Sequence, residues 1–245
     1  MSDTGAALTE YLRRSLAAEL PANVVLMHLL MRAREPFEAR GAIERVRRDL
    51  EKDCDPRKRE RLAAIARLWD AHPAAWAIVR AVAADHGATA DGGQKAPAHW
   101  ATLFDRLAAT APEAGVALYS LGDPDLLNAA TAEIAAYLRG RRLIGPERKV
   151  LEIGCGTGRL IAALAPDVAC IAGLDVSADM IRLACRRCAA FPNVRLGQTS
   201  GEGLASFADA AFDLVLAVDV LPYVFAGGGE LVWRNVSETA RVLRS

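Results

Sequence analysis

The run Val150-Leu151-Glu152-Ile153-Gly154-Cys155-Gly156-Thr157-Gly158-Arg159-Leu160 constrains the fold more than any other part of this 245-residue chain. A short apolar stretch reads as a buried parallel strand and runs into glycines at three alternate positions, after which a helical pattern begins. A second strand-like run, Val168 to Leu174, ends at Asp175, 17 residues after Gly158. Strand, glycine turn, helix, strand and acidic residue form a βαβ unit. In its first turn, backbone must bend sharply and approach a ligand closely, which glycine does without a Cβ clash. The free N–H groups at the next helix start favour a negative group. An acidic side chain at the tip of the second strand accepts from ribose hydroxyls. The pattern therefore describes a pocket for a nucleoside with a charged tail.

Spacing separates two kinds of nucleoside. A dinucleotide fingerprint, G-x-G-x-x-G, would place its third glycine at 159, where this chain has Arg159. The pattern is instead E-x-G-x-G-x-G, Glu152 to Gly158. Together with the absence of a catalytic constellation for hydride transfer, this disfavours a nicotinamide dehydrogenase. The pattern resembles motif I of the class I S-adenosylmethionine-dependent methyltransferases, and the similarity continues. Ile171 to Ile181, containing Gly173-Leu174-Asp175-Val176-Ser177, resembles that family's second strand and following helix, with Ser177 as N-cap. Asn193 to Leu196 resembles the third strand and Phe212 to Asp219 the fourth. Ala240 to Arg244 resembles the end of the helix after it.

The resemblance covers residues 119–245 and implies an α/β, Rossmann-like parallel sheet of order 3-2-1-4, following an all-helical region at 1–118. It implies S-adenosyl-L-methionine as cofactor and methyl transfer as the activity. Glu152 would hold the methionine ammonium. Gly154, Gly156 and Gly158 would line the methionine part. Cys155 and Thr157 lie among them, Cys155 reading mainly as packing and Thr157 as either a helix cap or a contact. Asp175 would bind the ribose and Val176 flank the adenine. In Ser200-Gly201-Glu202 the contact to the adenine amino group falls to the Ser200 hydroxyl, to backbone or to Glu202. Asp219 and Tyr223, after the fourth strand where donor and acceptor meet, are candidates for orienting an acceptor; both also fit structural roles. Asp219-Val220-Leu221-Pro222 is not the Asn-Pro-Pro-Tyr of amino-group methyltransferases, so an amine or nucleobase is not indicated. Tyr119 either covers the cofactor or belongs to a core.

Family members continue with Pro-Gly-Gly and three further strands, whereas the last residue here is Ser245. The later strands are expected to be missing, through truncation rather than a complete reduced fold. The fourth strand then becomes an open edge, which the helical region or a second copy of the chain would cover. A non-catalytic cofactor-binding or interaction module is the alternative reading.

Composition excludes several classes. Lys and Arg number 30 and Asp and Glu 30, and residues 1–118 carry 17 against 16, so no basic arm points to nucleic acid. The basic run Arg57 to Arg61 lacks interleaved aromatics and reads as a solvated helix face. No apolar run is long enough to span a bilayer, and no secretion signal stands at Met1, so a cytoplasmic location is expected. Five cysteines form no disulfide framework, and Cys185-x-x-Cys188 has no second ligand pair, so no metal is expected. The four histidines, at 28, 72, 86 and 99, read as surface or satisfied groups.

In the first half, Ile43, Val46 and Leu50, and Leu62, Ile65 and Trp69, keep helical spacing. Asp55-Pro56, Pro73 and Asp123-Pro124 read as helix starts and Gly140 as a stop. Gly87 to Pro97 reads as a loop or linker. Met27, Leu29, Leu30 and Met31 predict a helix buried nearly all round. Glu44 with Arg48 and Arg47 with Glu51 predict surface ion pairs.

Overall fold

The computed structural model describes residues 3–51, 55–87 and 96–244. Cys54, the side chain of His86, most of the Gly87 to Pro97 loop and Ser245 lie outside the described residues. The chain divides into two compact units, residues 1–87 with 118–126, and residues 88–117 with 127–245. Residues 97–116, expected within the N-terminal helical region, thus group with the sheet.

The first unit is helical: α1 (Asp3–Ala17), α2 (Ala22–Arg32), α3 (Pro36–Glu51), α4 (Pro56–Ala71) and α5 (Ala75–Gly87), with a 3-10 turn at Leu118–Ser120 that holds Tyr119. Its core joins Leu8, Leu12, Leu26, Leu29, Leu30, Ile43, Val46, Leu62 and Ile65. Asp55 caps α4 by accepting from the N–H groups of Arg57 and Lys58. Helix α2 is not buried all round. Val25, Leu26, Leu29 and Leu30 form a stripe at helical spacing, and Met31, off that stripe, is 37 % exposed. Glu44 pairs with Arg47 rather than Arg48, whose Nε donates to the Glu44 carbonyl. Both i+3 and i+4 neighbours reach the same carboxylate on a helix.

The second unit comprises α6 (Pro97–Thr110), α7 (Pro112–Val116), α8 (Pro124–Gly140), β1 (Lys149–Ile153), α9 (Arg159–Leu164), β2 (Cys170–Asp175), α10 (Ala178–Arg187), β3 (Val194–Gln198), β4 (Leu214–Leu216), α11 (Leu221–Ala226) and α12 (Gly229–Val242). The four strands form a parallel sheet of order β3-β2-β1-β4. Alternation along β1 sends Val150 into one layer, with Leu138, Ile161 and Leu164, and Leu151 into the other, with Phe212 and Val242. Helices therefore cover both faces, as the near-continuous apolar strands require.

Strand β4 is shorter than the expected 212–219. It pairs with β1 only from Val150–Leu214 to Glu152–Leu216. Beyond that point the two chains diverge and open the crevice between them. The β4 edge is not bare at its start. After α12 the chain returns beside it, with a parallel bridge from Phe212 to Leu243 and a hydrogen bond from the Arg244 N–H to the Phe212 carbonyl at 2.9 Å. No helix among the described residues is long and apolar enough to cross a membrane.

Candidate functional site

In a doubly wound sheet, ligands bind beyond the carboxyl ends of the strands, where successive crossovers part to opposite sides. In the order β3-β2-β1-β4 that point lies between β1 and β4. A cavity of about 840 Å³, counted to its open mouth, sits there. The segments after all four strands line it: Ile153, Gly154 and Gly156; Asp175 and Val176; Thr199 and Gly201; Val218, Asp219 and Val220. Pro97, Trp100 and Phe104 of α6, Val116 of α7 and Tyr223 of α11 complete the wall.

The glycine turn forms its floor. Gly154 and Gly156 have φ of 68° and 52°, a region a Cβ makes costly. A Cβ on Gly154 would stand 2.3 Å from Val220 Cγ2, and one on Gly156 2.6 Å from Val116 Cγ1. Gly158 does something different: a Cβ there would meet Ala184 at 2.9 Å, so this glycine seats α9 against α10. Cys155 is buried in the sheet–helix core, and Thr157 is buried with its hydroxyl unpartnered. None of these last three lines the cavity.

Asp175 closes the floor. Its Oδ2 accepts from the Gly156 N–H at 2.8 Å and its Oδ1 from the Ser177 N–H at 2.9 Å. Burial raises its proton affinity, and the hydrogen bonds from Ser177, Gly156 and Val176 oppose that rise. Ser177 caps α10 as expected, accepting from the Met180 N–H, and donates to Asp105 of α6 at 2.6 Å.

Glu152 lies beneath the turn, 3 % exposed, with Oε2 unpartnered. Burial pushes its carboxyl up to about 8, against the pull of Arg159 and with a further push from Asp175. Arg159, passed over in the sequence except as a missing glycine, is a buried cation. Its Nη1 donates to Thr131 Oγ1 at 3.0 Å and its Nη2 stands 3.9 Å from Asp219 Oδ2. Asp219 itself sits at φ 60° on the cavity wall.

After β3, Thr199 and Gly201 face the cavity, while Ser200 and Glu202 are exposed and joined to each other, the Glu202 N–H donating to Ser200 Oγ. Tyr223 meets Trp100 and Phe104 edge-on, ring centroids 4.9 and 5.1 Å apart. Burial, with Asp219 nearby, pushes its phenol up to about 12. Tyr119 belongs to the helical unit, where its carbonyl accepts from Asn23. Cys185 is exposed and Cys188 buried against the Gly158 carbonyl; among the described residues no group of three or more His, Cys, Asp or Glu is arranged to hold a metal ion.

Glycine floor, acidic tip and crevice position define a Rossmann-like nucleoside-binding unit of the methyltransferase type. Residues 150–245 match the family model described as a methyltransferase domain. Over this segment the chain is similar to methyltransferases. Demethylmenaquinone methyltransferase of Tropheryma whipplei (strain Twist) is 34% identical over 96 residues, 39% of this chain and 37% of that protein. Ubiquinone biosynthesis O-methyltransferase of Paracidovorax citrulli (strain AAC00-1) is 33% identical over 79 residues, 31% of this chain and 33% of that protein. The chain thus spans about a third of the curated relatives it matches. Phosphoethanolamine N-methyltransferase 1 of Haemonchus contortus shares the fold, with TM-score 0.51 and 18% identity over 61% of this chain and 30% of that one.

Proposed function

We propose that the chain binds S-adenosylmethionine in this cavity and transfers its methyl group to a small-molecule acceptor. The observation that carries the reading is the glycine floor joined to Asp175 at the crevice between β1 and β4. The residues present fit the cofactor. Gly154 and Gly156 offer backbone where any side chain would collide, and Glu152 keeps a buried oxygen without a partner. Asp175 would hold the ribose, Val176 and Gly201 would flank the adenine, and Glu152 would face the methionine ammonium. When bound, the cofactor supplies a methyl group already made electrophilic by its sulfonium.

The protein's own share is alignment and exclusion of water. Holding reactants in line supplies roughly 7–11 kcal/mol of effective concentration. Tyr223, with its phenol pushed up to about 12, keeps its proton at neutral pH and serves as a donor that orients an acceptor rather than as a base. Asp219 offers a carboxylate on the same wall. Two curated relatives carry names from menaquinone and ubiquinone biosynthesis, which supports a small organic acceptor. The test is transfer of a radiolabelled methyl group from the cofactor to a panel of small phenols, hydroxyquinones and amines. Label on a phenol or hydroxyquinone is expected. A folded, cofactor-saturated chain that labels nothing would leave a binding module in place of an enzyme.

A further inference from the structure

Beyond Glu152 and Leu216 the β1–β4 ladder ends, so the segment after β4 needs other supports. Val220 packs on the glycine floor, its Cγ2 2.3 Å from where a Cβ on Gly154 would stand. Asp219, one residue earlier, has φ 60°, a left-handed conformation in a residue that carries a Cβ. Such a conformation persists where its surroundings over-determine it, and it collects at working sites. One of those surroundings is Arg159, the first residue of α9, whose Nη2 lies 3.9 Å from Asp219 Oδ2. Arg159 is tethered in turn to α8, its Nη1 donating to Thr131 Oγ1 at 3.0 Å.

The pair is lopsided. The Arg159 side chain is 6 % exposed, at the head of a helix whose next residues, Leu160 and Ile161, are fully buried. The Asp219 side chain is 52 % exposed and lines the cavity, which Arg159 does not. Burying a guanidinium is unfavourable, and methionine would fill similar space without that penalty, so the charge answers to something other than packing. The cation is sealed behind the wall and its counter-charge is presented on it. A free surface aspartate samples several rotamers, whereas an anchored one keeps its oxygens placed for a ligand. The rest of the wall narrows that ligand. The charged lining residues are Asp175 and Asp219, with no lysine or arginine among them, so an anionic group would enter without a counter-charge. Tyr223, whose phenol feels the Asp219 charge, meets Trp100 and Phe104 edge-on, an aromatic surround suited to a flat ring.

Resting on the methyltransferase reading, we propose that Arg159 is a positioning residue: it fixes the Asp219 carboxylate on the cavity wall, where that carboxylate accepts from the hydroxyl of a flat, uncharged aromatic acceptor. The chemistry recognised is an O–H donor on a ring. A phenol or a hydroxyquinone has it. An aryl ether does not, because a carbon stands where the hydrogen was. Where the hydroxyl oxygen is the atom methylated, the product is such an ether and the contact is lost on transfer.

Two probes of similar size test this, 2-naphthol and 2-methylnaphthalene, which differ by the hydroxyl. Their affinities are measured by ligand-detected NMR on the full chain, with S-adenosylhomocysteine present and its own affinity fixed beforehand by calorimetry. The ratio of the two affinities is the readout. Asp219→Asn is expected to lower the preference for 2-naphthol by about three- to tenfold, as the hydrogen bond loses its charged partner. Arg159→Met should lower it comparably, and Arg159→Lys, which keeps a cation, should restore most of it. The double variant should fall no further than Asp219→Asn alone, because both changes remove one and the same contact. Through all of these 2-methylnaphthalene should stay within twofold, whereas a merely structural Arg159 would weaken both probes alike and add to the Asp219→Asn loss. An unchanged ratio in Asp219→Asn, or in a folded Arg159→Met, would overturn the proposal, and so would additive losses in the double variant. Should Arg159→Met not fold, Thr131→Val unties the guanidinium and keeps both charges; a lowered ratio there supports the positioning role and an unchanged one overturns it. A loss of S-adenosylhomocysteine affinity in Asp219→Asn would assign the carboxylate to the cofactor and overturn the proposal as well. If the intact chain takes no S-adenosylhomocysteine, the methyltransferase reading fails separately, and the probe comparison on the unliganded chain still decides the roles of Arg159 and Asp219.

Discussion

At Asp175 both oxygens of one carboxylate are tied to backbone N–H groups, one from the glycine floor and one from the start of α10. The same group is proposed to accept from the ribose hydroxyls, and a carboxylate has lone pairs enough for both tasks. Asp175→Ala removes the ribose partner and strands two N–H groups. Calorimetry should show S-adenosylhomocysteine binding weakened by tenfold or more, and urea unfolding a loss of about 2 kcal/mol. Glu152 gives a pH signature. Its carboxyl lies at about 8 when folded against an ordinary 4.5. Between those values the folded chain holds a proton that the unfolded chain has released, so this group's contribution to stability declines as pH rises through the window. The thermal midpoint of the cofactor-free chain should fall from pH 5 to pH 8, and Glu152→Gln should flatten that fall. A methionine ammonium selects the ionised form, so cofactor affinity should rise with pH towards 8 in the intact chain and stay level in Glu152→Gln. Equal pH slopes in the two proteins would separate Glu152 from the cofactor.

Among the elements, α6 and α10 are joined by a cap that crosses the chain. Asp105 accepts from Ser177 Oγ at 2.6 Å and from the Asp179 N–H at 3.1 Å, serving the first turn of a helix to which it does not belong. Asp105→Ala should cost about 1–2 kcal/mol, read as a thermal midpoint lower by roughly 2–8 °C. An unchanged midpoint would mean the cap is redundant. This contact also marks where the sequence falls short. The glycine turn, Asp175 and the Ser177 cap are local patterns of a few residues, and spacing alone exposes them. Trp100, Phe104 and Val116 lie far up the chain from motif I, and no local period tells that their helix will roof the cavity. After β3 the chain leaves the strand and bends, with Gly201 at φ 76°, so no period in the sequence tells which residues of 199–202 reach the cavity; Thr199 and Gly201 do, and Ser200 and Glu202 do not. Arg159 was hidden for another reason: a charged residue in an apolar helix start reads as exposed until Thr131 and Asp219 are seen around it.

On the scale of the whole molecule, the parallel sheet and its order were legible because four ordered motifs each fix one strand and right-handed crossovers leave few alternatives. The grouping of α6 and α7 with that sheet was not, since the glycine-rich stretch before α6 looks no different from a loop within one unit. A ligand that binds only the folded chain stabilises it by about 2.7 kcal/mol at a hundred times its dissociation constant. S-adenosylhomocysteine at that concentration should therefore raise the midpoint of the transition that includes the sheet, with no comparable rise for NADH. The most direct measurement is titration calorimetry of S-adenosylhomocysteine into the intact chain and into Gly156→Val, with circular dichroism confirming that both are folded. One site per chain in the intact protein, and none where a branched side chain fills the floor beside Val116, is the predicted result. A folded intact chain that takes up no S-adenosylhomocysteine, or a Gly156→Val chain that binds it equally well, would contradict the placement of the cofactor in this cavity.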